Sequence, residues 1–158
     1  MTALAIACGG RSTPSPVAPS PAPVAPPPAP PVTAFEGTWD GTASDSQGAT
    51  TVAWSLTRSG ATVSGTVTTQ AINPEDGSCN SCHRNKRGSV TGTIAGSTLT
   101  LTMFFAAGVD GDPTPACSAT VTGSATMLTE RTINGQYSGA DTCEGPFTSG
   151  SFVMARHP

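Results

Sequence analysis

Five consecutive residues hold the most distinctive chemistry of this chain: Cys79-Asn80-Ser81-Cys82-His83. Two thiols so spaced can close a small disulfide, and the imidazole that follows adds a nitrogen donor, so the segment could also give three ligands to a metal. A zinc site would need a fourth ligand, and none lies in evident reach, so no metal is expected. Cys117 and Cys143 form a second pair, and Cys8 stands apart near the start of the chain. Elsewhere the reactive chemistry is sparse. No serine is placed by spacing beside a histidine and an acid, and no nucleophile motif is present, so the sequence reads as non-enzymatic. Asp110-Gly111-Asp112 offers too few oxygens for calcium and reads as a turn. His83, Arg84, Lys86 and Arg87 form one basic cluster, which reads as a solvated loop. With a formal net charge of -3 and no basic stripe, nothing is suited to track a nucleic-acid backbone.

The elements that hold these residues divide the chain into unlike parts. Ten of the fifteen prolines fall between Pro14 and Pro31, among Ala, Ser and Val. Such a segment cannot bury enough apolar surface to offset its ordering entropy, so residues 9–34 read as a disordered tether. In a polyproline II state, about 20 residues would span roughly 60 Å. From Phe35 onward the apolar pattern has a period of two, the signature of strands. Eight such runs are legible, centred on Trp39, Trp54, Gly65, Gly92, Leu101, Gly123, Gly135 and Phe152. Residues 35–158 are therefore expected to form one all-β domain with no apolar run long enough to cross a membrane as a helix.

Turn chemistry suggests how the strands pair. A two-residue loop at Gly96-Ser97, with glycine supplying the positive φ of a type II′ turn, sets Ile94 against Leu99 and Gly92 against Leu101. A loop at Ser59-Gly60 would set Leu56 against Val63, Trp54 against Gly65 and Val52 against Val67. Folding about Glu130 sets Gly123 against Tyr137, Met127 against Ile133, and Cys117 against Cys143, which predicts a Cys117–Cys143 disulfide. In each case glycines sit on the apolar face, as expected where a bulky partner approaches or the sheet bends. Eight short strands joined mostly by tight turns predict an up-and-down barrel, which leaves no unpaired edge, with a β-sandwich as the alternative. Trp39, Trp54 and Tyr137 are the aromatic residues placed to line a ligand cavity in its interior, or simply to fill it.

Three resemblances add expectations. Gly37-Thr38-Trp39 in the first strand resembles the opening of lipocalins and avidins, where the Trp lies at the floor of an eight-stranded meander barrel. Ile6-Ala7-Cys8-Gly9 resembles the end of a bacterial lipoprotein signal peptide, with Ala5 where leucine is usual and Leu4 one place early. Residues 1–8 are then the last part of that signal, and Cys8 is the lipidated residue of an exported protein, anchored in the periplasm or at the cell surface. Export favours disulfides, here Cys79–Cys82 and Cys117–Cys143. Cys79-x-x-Cys82-His83 resembles the attachment motif of c-type cytochromes, which implies two thioether bonds to haem and an iron ligand at His83. The function expected is a membrane-anchored β-domain that binds a small apolar ligand or serves a structural role. The alternative is a mono-haem electron carrier.

A local Cys79–Cys82 disulfide with no haem is the outcome expected here. Covalent haem needs apolar cover, and the motif is surrounded by Asn80, Ser81, Arg84, Asn85 and Lys86. Intact-mass measurement on protein exported by a host with cytochrome c maturation will distinguish the two readings. The disulfide lowers the mass by two hydrogens, whereas haem raises it by hundreds of daltons. The same spectrum should show acylation of Cys8, absent in Cys8→Ser.

Overall fold

The computed structural model describes residues 35–72, 86–108 and 117–157. Cys8, the 9–34 tether, Cys79, Cys82, His83 and Asp110-Gly111-Asp112 lie outside the described residues. The strands are β1 (Gly37–Asp45), β2 (Gly48–Ser59), β3 (Thr62–Ala71), β4 (Lys86–Ala95), β5 (Thr98–Phe105), β6 (Ala119–Thr129), β7 (Thr132–Asp141) and β8 (Gly145–Arg156). Each pairs antiparallel with the next, and β8 returns to β1 through pairs running from Trp39–Arg156 to Ser44–Ser151, so the sheet closes into a barrel rather than splitting into a sandwich.

Threonine and serine on one face and larger apolar residues on the other account for the alternation. β5 shows it plainly, with Leu99, Leu101, Met103 and Phe105 buried and Thr100, Thr102 and Phe104 exposed. Branched Cβ atoms of threonine suit the pleated outer surface, while the inward set forms one continuous core across all eight strands.

Two of the three predicted hairpin registers hold. β4 and β5 pair as expected, with Ile94 opposite Leu99 and Gly92 opposite Leu101. β6 and β7 pair Gly123 with Tyr137 and Met127 with Ile133, with a bulge between Met127 and Thr129 at the turn. The same register brings Cys117 and Cys143 together as a disulfide, 5.6 Å apart at Cα. The β2–β3 register differs. The chain turns at Gly60-Ala61, so Leu56 lies opposite Gly65, Trp54 opposite Val67 and Val52 opposite Thr69. The reason is the turn itself: Gly60 takes φ +62°, and a type II′ loop wants that conformation at its first position, as at Gly96. The displacement is an even number of residues, so every side chain keeps its face and only its partner changes.

The interior glycines are where the sheet bends. A Cβ on Gly123 would press on the Gln136 carbonyl and lie 2.9 Å from Cβ of Tyr137. A Cβ on Gly135 would enter the Phe152 ring and the Ser124 carbonyl, and one on Gly65 would strike the Ser55 carbonyl. These strands approach one another more closely than any residue with a side chain permits. Gly123→Ala should therefore cost about 2–3 kcal/mol of unfolding free energy in urea, the scale of an overpacked core. A loss below about 0.5 kcal/mol, the range of ordinary surface changes, would show that the close approach is not needed.

Candidate functional site

The two ends of the barrel are built differently. At one end, here the floor, β2–β3, β4–β5 and β6–β7 are joined by the short turns at 60–61, 96–97 and 130–131. Phe35 and Trp39 are fully buried there, and the Trp39 indole N–H donates to the Phe35 carbonyl at 3.0 Å. The Arg156 guanidinium lies 4.6 Å above the Trp39 ring, and its Nε donates to the Glu130 carbonyl at 3.1 Å. The cation–π contact and this hydrogen bond tie β1, β8 and the β6–β7 turn together. The His157 N–H donates to the Thr38 carbonyl at 2.9 Å, which continues the seal.

The opposite end, the rim, receives both long connections, between β3 and β4 and between β5 and β6. Polar groups take several of the inward positions here. Lys86 is 1% exposed; its Nζ donates to the Cys117 carbonyl at 2.9 Å and lies 3.7 Å from Asp141 Oδ2. That second distance is an ion pair rather than a hydrogen bond. Asp141 Oδ1 accepts from the Cys143 N–H at 2.7 Å and the Glu144 N–H at 3.3 Å. Lys86 is thus not part of a solvated basic run, as its neighbours suggested. Arg87 beside it is exposed, but the period-two series Gly92, Val90, Gly88 carries Lys86 inward. Cys117, Asp141 and Cys143 bring their ligand atoms within 4.8 Å of one another, but both sulfurs are committed to the disulfide.

Between floor and rim lies a narrow apolar slot of about 40 Å³, bordered by Trp54, Met103, Val121, Tyr137 and Phe152, with Thr50 and Thr69 toward the rim. Its aromatic members contact one another: Trp54 and Phe152 meet edge to face at 5.2 Å, and Tyr137 meets Phe147 at 6.2 Å and Phe152 at 6.3 Å. The Tyr137 hydroxyl donates to Asp45 Oδ2 at 2.8 Å, and Asp45 Oδ1 in turn accepts from the Gln47 N–H at 2.7 Å. Burial, reinforced by the Asp45 carboxylate and this hydrogen bond, pushes the Tyr137 phenol far above its ordinary value. It remains a neutral donor under all physiological conditions.

Of the three aromatic residues that the sequence marks for a cavity, Trp54 and Tyr137 border this slot and Trp39 belongs to the floor. Thr50, Thr69, Asp45 and Asp141 escape the sequence reading, and Lys86 is grouped there with a solvated loop, although each extends an inward series by one step: Val52 back to Thr50, Val67 on to Thr69, Ala43 on to Asp45. Arg156 likewise follows Met154.

No family model matches the chain, and no curated protein matches it. Among solved structures it is similar to designed β-barrels. EF1p2_mFAP2b bound to DFHBI aligns with a TM-score of 0.59 at 14% identity, over 79% of this chain and 95% of that one. A second, mFAP1 bound to DFHBI, aligns with a TM-score of 0.55 at 14% identity, over 78% and 96%. A third, b11L5F_LGL, gives 0.54 at 16% identity, over 80% and 94%. At such identities the likeness establishes the closed eight-stranded barrel.

The Tyr137 environment has a consequence for stability. In the folded chain the phenol keeps its proton above pH 10, where the unfolded chain has begun to lose it. The stability linked to this proton is fully present below about pH 10 and falls as pH rises further. Tyr137 is the one tyrosine of the chain. Tyr137→Phe should cost about 1 kcal/mol at pH 8 through the lost hydrogen bond, and that deficit should shrink by pH 11. Urea unfolding at both pH values measures it. A deficit that stays constant would show that the phenol ionises normally.

Proposed function

We propose that this protein is an exported lipoprotein whose barrel is a non-catalytic binding module for a compact apolar ligand, held at the envelope through Cys8 and the proline-rich tether. The observation that carries the binding reading is the one-ended interior: a floor closed by Phe35, Trp39 and Arg156, and above it an apolar slot at the end where the long connections enter. A barrel serving only as a spacer gains nothing from leaving that volume unfilled, since voids in a core cost stability. The similar barrels mFAP1 and EF1p2_mFAP2b, each bound to DFHBI, support the same architecture as a container for small molecules. The slot of about 40 Å³ is far smaller than the several hundred Å³ of a drug-sized pocket. It is also smaller than the roughly 150 Å³ that an aromatic ring occupies in a protein core, so a single-ring ligand is admitted only as the unbranched Met103 side chain gives way.

α-Methylstyrene, a neutral hydrocarbon of nine heavy atoms, is a suitable probe. Titrated into protein labelled at methyl groups, it should give saturable shifts at Met103, Val52 and Val121 and none at Leu99 or Ile133 near the floor. A Kd on the order of 0.1–1 mM is expected for so small a ligand. Ala119→Leu, which fills the slot, should abolish the response in a protein that still unfolds cooperatively. Shifts scattered over the outer surface would refute the binding role, as would the absence of any response both to α-methylstyrene and to its oxygen-bearing isosteres.

A further inference from the structure

The slot is apolar except on one side, and that side has polar groups with no partner among the described residues. The Trp54 indole Nε1 and the Thr69 hydroxyl are both buried without a hydrogen-bond partner among the described residues, and both residues border the slot. Trp54 is 1% exposed, so water outside the barrel does not serve its N–H. Leaving such groups unsatisfied costs stability, and buried polar groups are nearly always paired. The β2–β3 register places the two residues side by side. Trp54 is opposite Val67, and Thr69, two residues further along β3, is opposite Val52. They are diagonal neighbours on one face, within reach of a common partner.

The other polar groups around the slot are engaged. The Thr50 hydroxyl lies 2.8 Å from the Gln70 carbonyl, and the Tyr137 hydroxyl donates to Asp45. An indole N–H can only donate, whereas a hydroxyl can donate or accept. The partner common to both is therefore an acceptor oxygen. Among the described residues no cationic side chain borders the slot; the Lys86 ammonium nearby is turned to Asp141 and the Cys117 carbonyl. A carboxylate would be buried without a counter-charge and close to the acidic Asp45, which is costly.

We infer that the slot selects a neutral, single-ring molecule carrying one carbonyl-type oxygen, which accepts from both Trp54 Nε1–H and Thr69 Oγ1–H while the ring lies against Met103, Val121 and Phe152. This rests on the lumen being the binding site, and it adds the chemistry that the lumen recognises.

Three isosteric probes separate the two claims: acetophenone, α-methylstyrene, in which a methylene replaces the carbonyl oxygen, and benzoate. Acetophenone should bind more tightly than α-methylstyrene by about ten-fold or more, since each net hydrogen bond contributes roughly two- to ten-fold. Benzoate should bind more weakly than either. Thr69→Val keeps the shape of the side chain and removes the hydroxyl. Trp54→Phe keeps an aromatic ring and removes the N–H. Each should reduce the acetophenone preference by about three- to ten-fold while α-methylstyrene still binds. The preference is a ratio within one variant, so a general loss of packing does not mimic the effect. Equal binding of acetophenone and α-methylstyrene by the wild type would overturn the acceptor inference and leave the lumen reading intact, the two groups then being served by water. Tightest binding of benzoate would overturn the requirement for neutrality. Failure of all three to bind would overturn the lumen reading itself, and this inference with it.

Discussion

Closing eight short strands into a ring requires the sheet to curl tightly, and the limiting contact is between the backbone of one strand and the inward face of the next. At Gly65, Gly123 and Gly135 the neighbouring carbonyl occupies the place a Cβ would take. Glycine costs conformational entropy within a strand, and here that cost permits the curvature that joins β8 to β1. The large residues opposite, Leu56, Tyr137 and Phe152, then fill the space that glycine leaves. Core filling and closure are thus two effects of one alternation between absent and bulky side chains.

Polarity along the barrel axis follows from the same strands. On β1, β2, β3, β4 and β7 the inward series turns polar at the rim, at Asp45, Thr50, Thr69, Lys86 and Asp141, whereas β5, β6 and β8 stay apolar there at Phe105, Ala119 and Phe147. The buried Lys86–Asp141 pair contributes little net stability, because removing two charges from water offsets most of their attraction. What it does is geometric. It joins the first residue of β4 to the last of β7, and through the Cys117 carbonyl to the chain entering β6. With the Cys117–Cys143 disulfide it ties the start of β4, the chain entering β6 and the end of β7 together at the rim.

Much of this was legible in the sequence because a period of two leaves little freedom. The strand count, the closed barrel, the β4–β5 and β6–β7 registers and the Cys117–Cys143 bond all follow from matching apolar faces across turns. The β2–β3 register was misplaced by assigning Gly60 to the second loop position, although the rule that correctly placed Gly96 applies to it equally. The rim was missed for a different reason. A lone lysine within Arg-Asn-Lys-Arg looks solvated when judged by its neighbours in sequence, and its burial becomes evident only when the inward series of β4 is extended past Gly88. The partner that makes this burial tolerable, Asp141, is 55 residues away. Pairings over that distance emerge from closure rather than from local pattern. The orphaned Trp54 N–H is of the same kind, because an unmet hydrogen bond is a property of the assembled interior.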